Sequence, residues 1–288
     1  MSRIRLPRYG RIKFPPKMSL TERDRRILEA VYAYDGILSF AQVQRLFFTG
    51  KSQAELRLKL LYQHGYLNRL DRDQRRRYTE MVYWLDKKGA ELVASLDGTP
   101  FSEFTWRKEP RWFQVEHDLA VNDFRINMEQ ACREHPEVQL ESWTAESEFW
   151  AYPDKIEYTY QGKKMHRYMR PDGFFVLSTS EHLIRYLLEI DRSTEDNPRF
   201  LREKVLPGLA YVKSQAYGER FGHRSGRWLV VTTGERRLAN MLSQAKNGEA
   251  KGSFYFTTFS QVNPETILQA PIWRRADRDE LMPLIFID

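Results

Sequence analysis

The chain has 288 residues, a formal net charge of +7 and a single cysteine. This length favours two domains, each large enough for its own core, and the basic balance suits a polyanionic partner. Cys132 alone excludes an intrachain disulfide and a cysteine zinc cluster, and no apolar run reaches the roughly twenty residues of a membrane span. We therefore expect a cytoplasmic protein without a membrane partner.

The first segment, residues 1–18, is basic and rich in proline. Six lysines and arginines and no acidic residue precede Met18, and Pro7, Pro15 and Pro16 keep the backbone extended. Such an arm can lie along a polyanion. A disordered, solubilising tail is the alternative interpretation.

Residues 19–98 contain three short helical patterns followed by a strand-like hairpin. Ser19 or Thr21 can cap the first helix, and Ser39 can cap the second. The hairpin strands lie on either side of a charged loop, and a further helix then ends this part of the chain. This order of elements predicts a winged helix-turn-helix.

The third helix has a clear apolar face. Ala54, Leu58 and Leu61 fall on one side at helical spacing, which predicts that they are buried. The opposite side and its edges, together with the hairpin tip, carry polar and basic side chains that can reach base edges or phosphates.

A winged helix places its recognition helix in a major groove and its wing on the backbone or the minor groove. The basic side chains favour double-stranded DNA as the partner over a merely solvated loop or a protein-docking module. The candidate DNA-binding residues are Ser52, Gln53, Arg57, Lys59, Gln63, Arg69, Arg72, Arg75, Arg76 and Arg77.

Residues 99–112 form a linker after the boundary at Asp97, Gly98 and Pro100, and its aromatic residues favour packing between the domains over a free segment. Helical and strand patterns then alternate over 113–288, which predicts an α/β domain around a mixed sheet and the α+β class for the whole chain. The clearest patterns in it predict a helix over 115–134, strands over 174–177 and 183–190, and a helix over 199–217 kinked at Pro207.

One set of acidic residues in this second domain could carry chemistry. Glu189 and Asp191 share a face of a strand, Asp172 begins the partner strand, and Glu116 lies on the preceding long helix. We expect these four carboxylates to lie near one another, as a site for Mg²⁺ or Mn²⁺ that activates water against a phosphodiester. The alternative is a network of ion pairs with nearby basic residues. The histidines lack ligand spacing, so zinc is not expected.

Several short motifs together resemble the replication-relaxation proteins of plasmids and integrative mobile elements. The resemblance extends from about residue 21 to about residue 242. The motifs are LKLLYQHGYLNRL (58–70), EHDLAVNDF (116–124), RPDGFF (170–175), LLEIDRST (187–194) and WLVVTT (228–233).

The resemblance implies a winged helix joined to a domain similar to the PD-(D/E)xK nuclease fold, with DNA binding in support of rolling-circle replication. In that pattern Asp172 matches the first acid, Glu189 the second and Glu116 the acid on the leading helix. Asp191 stands where the pattern has a lysine, which removes the positive charge that polarises the attacking water. Lys204 or Arg192 could substitute for it. We therefore expect a degenerate domain that does not cut DNA.

These observations predict a DNA-binding protein of a mobile element, acting in replication initiation or control or in transcriptional regulation. A second copy of the chain and replication or mobilisation proteins are the further partners considered, and no cofactor is expected. The competing hypothesis is a Mg²⁺- or Mn²⁺-dependent endonuclease whose catalytic residues are Glu116, Asp172, Glu189 and Asp191, with Asp172 and Glu189 holding the metal. An interaction adaptor without DNA is disfavoured by the charge.

Overall fold

The computed structural model describes residues 6–7, 9–192 and 197–286. Residues 1–5 and 8 of the predicted basic arm, and the last two residues of the LLEIDRST motif, lie outside the described residues. The chain divides into two compact units, Met1–Asp123 and Phe124–Asp288. The protein is α+β with a mixed sheet, as predicted. No helix in the described ranges is both long enough and apolar enough to cross a membrane.

The first unit combines helices with a small antiparallel sheet in the order β1-β3-β2. Its helices are α1 (Glu22–Ala33), α2 (Phe40–Phe47), α3 (Lys51–Gln63), α4 (Lys87–Asp97) and the first part of α5 (Val115–Glu134). Its strands are β1 (Leu38–Ser39), β2 (Leu67–Arg69) and β3 (Val82–Leu85).

Reciprocal caps begin the first two helices. Thr21 caps α1 and Ser39 caps α2, and the third residue of each helix, Asp24 or Gln42, returns a hydrogen bond to the backbone N–H of its cap. Each pair satisfies two backbone donors that a helix start leaves open. The predicted cap of the second helix, Ser39, is thus confirmed, and of the two caps considered for the first helix the structure has Thr21 rather than Ser19.

The core of the first unit confirms the predicted phase of α3. Ala54, Leu58 and Leu61 are fully buried, as are Ile27 and Val31 on α1. Removing these apolar surfaces from water is the main stabilising contribution that a unit of this size has.

The segment predicted as a linker, 99–112, packs within the first unit. The Phe104 ring lies 4.8 Å from that of Tyr32, and the Trp112 ring meets Trp84 edge-on at 5.6 Å. These contacts bury aromatic surface that a free linker would leave in water. The predicted domain limits at 98/99 and 112/113 themselves stay predictions.

The second unit contains a six-stranded mixed sheet in the order β11-β10-β9-β8-β7-β4 and a separate two-stranded hairpin, β5-β6. Its strands are β4 (Gln139–Ala145), β5 (Asp154–Tyr160), β6 (Lys163–Met169), β7 (Gly173–Ser178), β8 (Leu183–Ile190), β9 (Arg227–Thr232), β10 (Phe254–Thr258) and β11 (Arg274–Arg275). Besides the rest of α5, its helices are α6 (Glu146–Ala151), α7 (Asn197–Phe200), α8 (Leu206–Val212), α9 (Gln215–Phe221) and α10 (Glu235–Asn247).

Strand direction changes at β8. The strands β4, β7 and β8 pair antiparallel, whereas β9 runs parallel to β8 and β10 runs parallel to β9. Parallel neighbours need crossover connections, and helices supply them here. The start of β7 and the end of β8 therefore lie side by side, which positions the acidic residues described below.

The single kinked helix predicted over 199–217 is wrong. After α7 the chain makes one wide π turn, Leu201–Val205, continues as α8, and begins α9 only after Ser214, whose hydroxyl accepts from the N–H of Tyr217. Pro207 lies in the first turn of α8.

The hairpin β5-β6 packs one face into the core of the second unit. Its inward residues Ile156, Tyr158 and Met169 belong to one apolar cluster with Tyr211 of α8 and Tyr217 of α9. Because side chains alternate across a strand, the intervening residues form the outer face of the hairpin.

Candidate functional site

The first turn of α3 presents polar side chains to solvent. Ser52 and Gln53 are exposed, and Lys59, two turns further along, is half-buried. Of the contact residues predicted on α3, these three keep solvent-accessible side chains.

Arg57 lies on the same helix but holds the fold together. Its Nε donates to Asp24 Oδ1 at 2.6 Å, and its Nη2 donates both to Asp24 Oδ2 and to the backbone oxygen of Ser19. The Asp24 carboxyl is fully buried. Burial acts to raise the pKa of Asp24, but hydrogen bonds from Arg57 and Thr21 outweigh it and hold this pKa below its usual value.

Gln63 is buried and fixes the N-terminal segment. Its Oε1 accepts from the N–H of Ile12, and its Nε2 donates to the Gly10 oxygen, both at 2.9 Å. Gln63 therefore leaves the set of DNA-contact candidates. The described part of the arm next to it lies on the unit itself, in place of the free arm expected from composition.

Arg11 strengthens the same attachment. It donates to the backbone oxygens of Tyr62 and Leu67, pairs with the Asp86 carboxylate at 2.5 Å, and lies over the Tyr62 ring. Arg69 covers that ring too, with its guanidinium carbon 4.3 Å from the centroid, and is buried. Arg69 is therefore also removed from the candidate contacts.

The loop between β2 and β3 holds its shape through its own side chains. Asp71 Oδ1 accepts from the N–H groups of Asp73 and Gln74 at 2.9 and 2.8 Å. Arg75 donates to the backbone oxygens of Tyr78 and Thr79 and so ties the far end of the loop.

Three arginines stay exposed on this braced loop, namely Arg72, Arg76 and Arg77. Arg76 approaches the exposed carboxylate of Asp73 at 3.7 Å, and a pair of this kind contributes little. The loop therefore presents three guanidinium groups on a backbone of defined shape.

In the second unit, strand pairing brings Asp172 beside the end of β8. Asp172 Oδ2 accepts from the N–H of Ile190 at 2.6 Å, next to Glu189 in the chain. Lys204 Nζ lies 2.5 Å from Glu189 Oε1. Asp172, Glu189 and Asp191 are all buried. The sequence named Lys204 as a substitute cation, and the structure places it on Glu189.

Asp191 is paired with a residue that sequence reasoning missed. Arg237 on α10 binds both of its carboxylate oxygens at 2.9 Å, and the Thr232 hydroxyl donates to it at 2.6 Å. The position where the nuclease pattern has a lysine thus holds a carboxylate neutralised by an arginine 46 residues away.

Glu146 is the second residue that the sequence did not reveal. It begins α6, a helix that was not predicted, and one of its carboxylate oxygens lies within 4.8 Å of one from Asp172. Its Oε1 accepts from the indole N–H of Trp150 at 2.9 Å. Two carboxylates at this spacing are the part of the site that fits a divalent cation.

The EHD motif lies in the first turn of α5. Its last residue, Asp118, is bound by Arg107 at 2.7 Å and Arg111 at 2.5 Å within the first unit. Arg107 also pairs with Asp35 at 2.9 Å, so Asp118 is part of a structural network. That Glu116 converges with the carboxylates of the second unit stays a prediction.

A family model, described as replication-relaxation, matches residues 30–221, about two thirds of the chain. The chain belongs to the replication-relaxation family. Membership associates it with replication or relaxation of plasmids or mobile elements. Comparisons with curated proteins and with solved structures gave no significant match.

Proposed function

We propose that this replication-relaxation protein binds double-stranded DNA through its first unit, used as a winged helix. The observation that carries the proposal is the braced loop with Arg72, Arg76 and Arg77 exposed. Guanidinium groups held on a fixed backbone lose little freedom when they meet phosphates, and the start of α3 adds Ser52 and Gln53 for base edges.

Salt dependence gives the magnitude. Each phosphate contact that is lost should lower the slope of log affinity against log salt by about 0.9, so losing all three arginines should lower it by about 2.7. Gln53→Ala should instead change the preferred sequence, because an amide can pair with an adenine edge.

The test is duplex binding by fluorescence anisotropy over a salt series, with Arg72, Arg76 and Arg77 all changed to Ala. A matched control changes three exposed arginines of the second unit, Arg133, Arg224 and Arg236, and so carries the same change in net charge. If both variants lose the same affinity, or if neither loses any, the loop is not part of the DNA-binding surface.

We further propose that the second unit keeps a nuclease-like carboxylate site without cutting DNA. Lys204 on Glu189 and Arg237 on Asp191 neutralise two of the acids, which supports a structural role. The closeness of Glu146 to Asp172 favours the alternative, a metal-dependent endonuclease in which these carboxylates would hold the ion.

The same binding reactions distinguish the two roles when Mg²⁺ or Mn²⁺ is added to supercoiled and linear DNA. We expect intact DNA with the parent protein. Cleavage that disappears in a Glu189→Ala variant would make the endonuclease the primary function.

The biological role proposed is replication initiation or control on a mobile element, with transcriptional regulation as the alternative. Family membership supports the first. A homodimer and the docking of replication or mobilisation proteins belong to the same proposal, and light scattering of the purified protein with and without DNA tests the dimer.

A further inference from the structure

The outer face of the hairpin β5-β6 is not used by the proposed duplex binding. The register places Lys155 opposite Tyr168, Glu157 opposite His166 and Thr159 opposite Lys164. All six of these side chains are exposed, while the other face of the hairpin belongs to the core of the second unit.

The outer face carries more positive than negative charge. Lys155 and Lys164 lie on it against the single carboxylate of Glu157, which Lys164 already engages at 3.0 Å. Asp154, at the start of β5, is paired with Arg220 at 2.7 Å. Lys155 on the face and Lys163 at the hairpin tip are exposed cations, so a polyanion would be attracted along the hairpin.

Exposed aromatic rings accompany these charges. Tyr168 is 53% exposed, Trp150 is 47% exposed and Tyr152 is 77% exposed. Large rings left in water on a folded unit commonly mark a binding surface when they are grouped with polar residues.

The rings are tied to the base of the hairpin. The guanidinium of Arg170, the residue after β6, lies 3.8 Å from the centroid of the Trp150 ring. Its Nε is buried without a hydrogen-bond partner among the described residues, so ring contact is what holds this group. Arg220 donates to the backbone oxygen of Tyr152 and pairs with Asp154, which fixes Tyr152 to the first residue of β5.

We propose that this outer face, with Trp150 and Tyr152 beside it, binds single-stranded nucleic acid. Bases stack on the rings of Trp150, Tyr152 and Tyr168, and phosphates pair with Lys155 on the face and with Lys163 at the hairpin tip. Stacking needs bases that are not already paired within a duplex, so the rings select a single strand, whereas lysines alone would accept either form. The site is separate from the duplex-binding surface proposed for the first unit.

The test uses the full chain and a labelled oligodeoxythymidine in anisotropy titrations. Tyr168→Ala should weaken binding by roughly 5- to 150-fold, the range for losing one stacked base. Tyr168→Phe keeps the ring and should bind as the parent does. Thr159→Ala changes an exposed residue of the same face without removing a ring or a charge, and it is the matched control.

A salt series distinguishes the contribution of charge to binding from that of stacking. Lys155→Ala should lower the salt slope by about 0.7, the value for one phosphate of a single strand. Tyr168→Ala should leave the slope unchanged while lowering affinity.

The variant of Arg72, Arg76 and Arg77 distinguishes this proposal from the proposed duplex binding, since it should lose duplex affinity and keep oligodeoxythymidine affinity. Parent-like affinity in Tyr168→Ala would overturn the single-strand proposal and leave duplex binding untouched. Equal losses in Tyr168→Phe and Tyr168→Ala would also overturn it, because the ring would then not be the contact. A dimer that dissociates in Tyr168→Ala at unchanged oligonucleotide affinity would reassign the face to self-association.

Discussion

Replacing Arg57 with Ala tests whether this arginine stabilises the fold or contacts DNA. Among the described residues, the change leaves the buried Asp24 carboxylate with only the N–H and hydroxyl of Thr21 as hydrogen-bond donors. Breaking a buried ion pair costs about 3–5 kcal/mol. We expect the lower end, about 3 kcal/mol, because Arg57 is 23% exposed and Thr21 still donates.

Calorimetry of the full chain measures the effect. At about 4 °C per kcal/mol, appropriate to a unit of this size, the transition of the first unit should fall by about 12 °C. Arg25→Ala is the matched control, since Arg25 lies at 3.4 Å from Glu22 in an exposed pair and should change stability by less than about 1 kcal/mol.

The pH dependence follows from the direction of the pKa. The folded pKa of Asp24 is lowered, so the pair contributes fully above the unfolded pKa of about 3.9 and its contribution is lost as pH falls through the folded pKa. The difference between parent and Arg57→Ala should therefore be large at pH 7 and shrink below about pH 4.

A second substitution separates charge from packing. Asp24→Asn in the Arg57→Ala background removes the buried charge, while an amide oxygen can still accept from the Thr21 N–H, so part of the lost stability should return. An unchanged melting transition in Arg57→Ala together with weaker duplex binding would refute the structural role and return Arg57 to the DNA-binding surface.

Two further predictions concern the apolar side of α3 and the half-buried thiol of Cys132. Leu58→Ala should lower the free energy of unfolding by about 2–5 kcal/mol in urea titrations, because Leu58 is fully buried. Leu56→Ala, at an exposed position of the same helix, should change it by less than about 0.5 kcal/mol. Equal effects of the two substitutions would contradict the assignment of the buried side of α3. Burial, with a smaller effect of Glu129, raises the pKa of the Cys132 thiol to about 11. Iodoacetamide at pH 8 should therefore modify Cys132 roughly 100-fold more slowly than free cysteine, and a rate similar to that of free cysteine would show an accessible thiolate.

Long, uninterrupted patterns predicted the fold well. The limits of α5 and β8 agree with those predicted, because apolar periodicity and flanking turn residues extend over the whole of each element. The region after Asn197 failed for the opposite reason. The helical spacing of apolar residues continues without a change in composition across the π turn and across the start of α9 at Ser214. These two interruptions of the α-helix therefore depend on packing that the local sequence does not show.

For the candidate sites, too, local patterns gave correct predictions and contacts between distant parts of the chain were missed. Helical periodicity correctly identified the buried side of α3, but it assigned Arg57 and Gln63 to the DNA-facing set. Their partners, Asp24 and the backbone near Gly10, are distant in the sequence, so no local pattern reveals the pairing. Arg237 was missed for the same reason, since it reaches Asp191 from another helix.

The attachment of Arg11 also bears on the electrostatics of α3. This helix has no basic residue in its own last turn, where the aligned peptide dipoles leave partial negative charge. Arg11, 51 residues earlier in the chain, donates to the oxygen of Tyr62 in that turn and supplies the missing counter-charge. The N-terminal segment thus acts on α3 as a basic residue in the last turn of the helix would. The stability of α3 therefore depends on a part of the chain that lies outside the helix and does not enter its helix propensity.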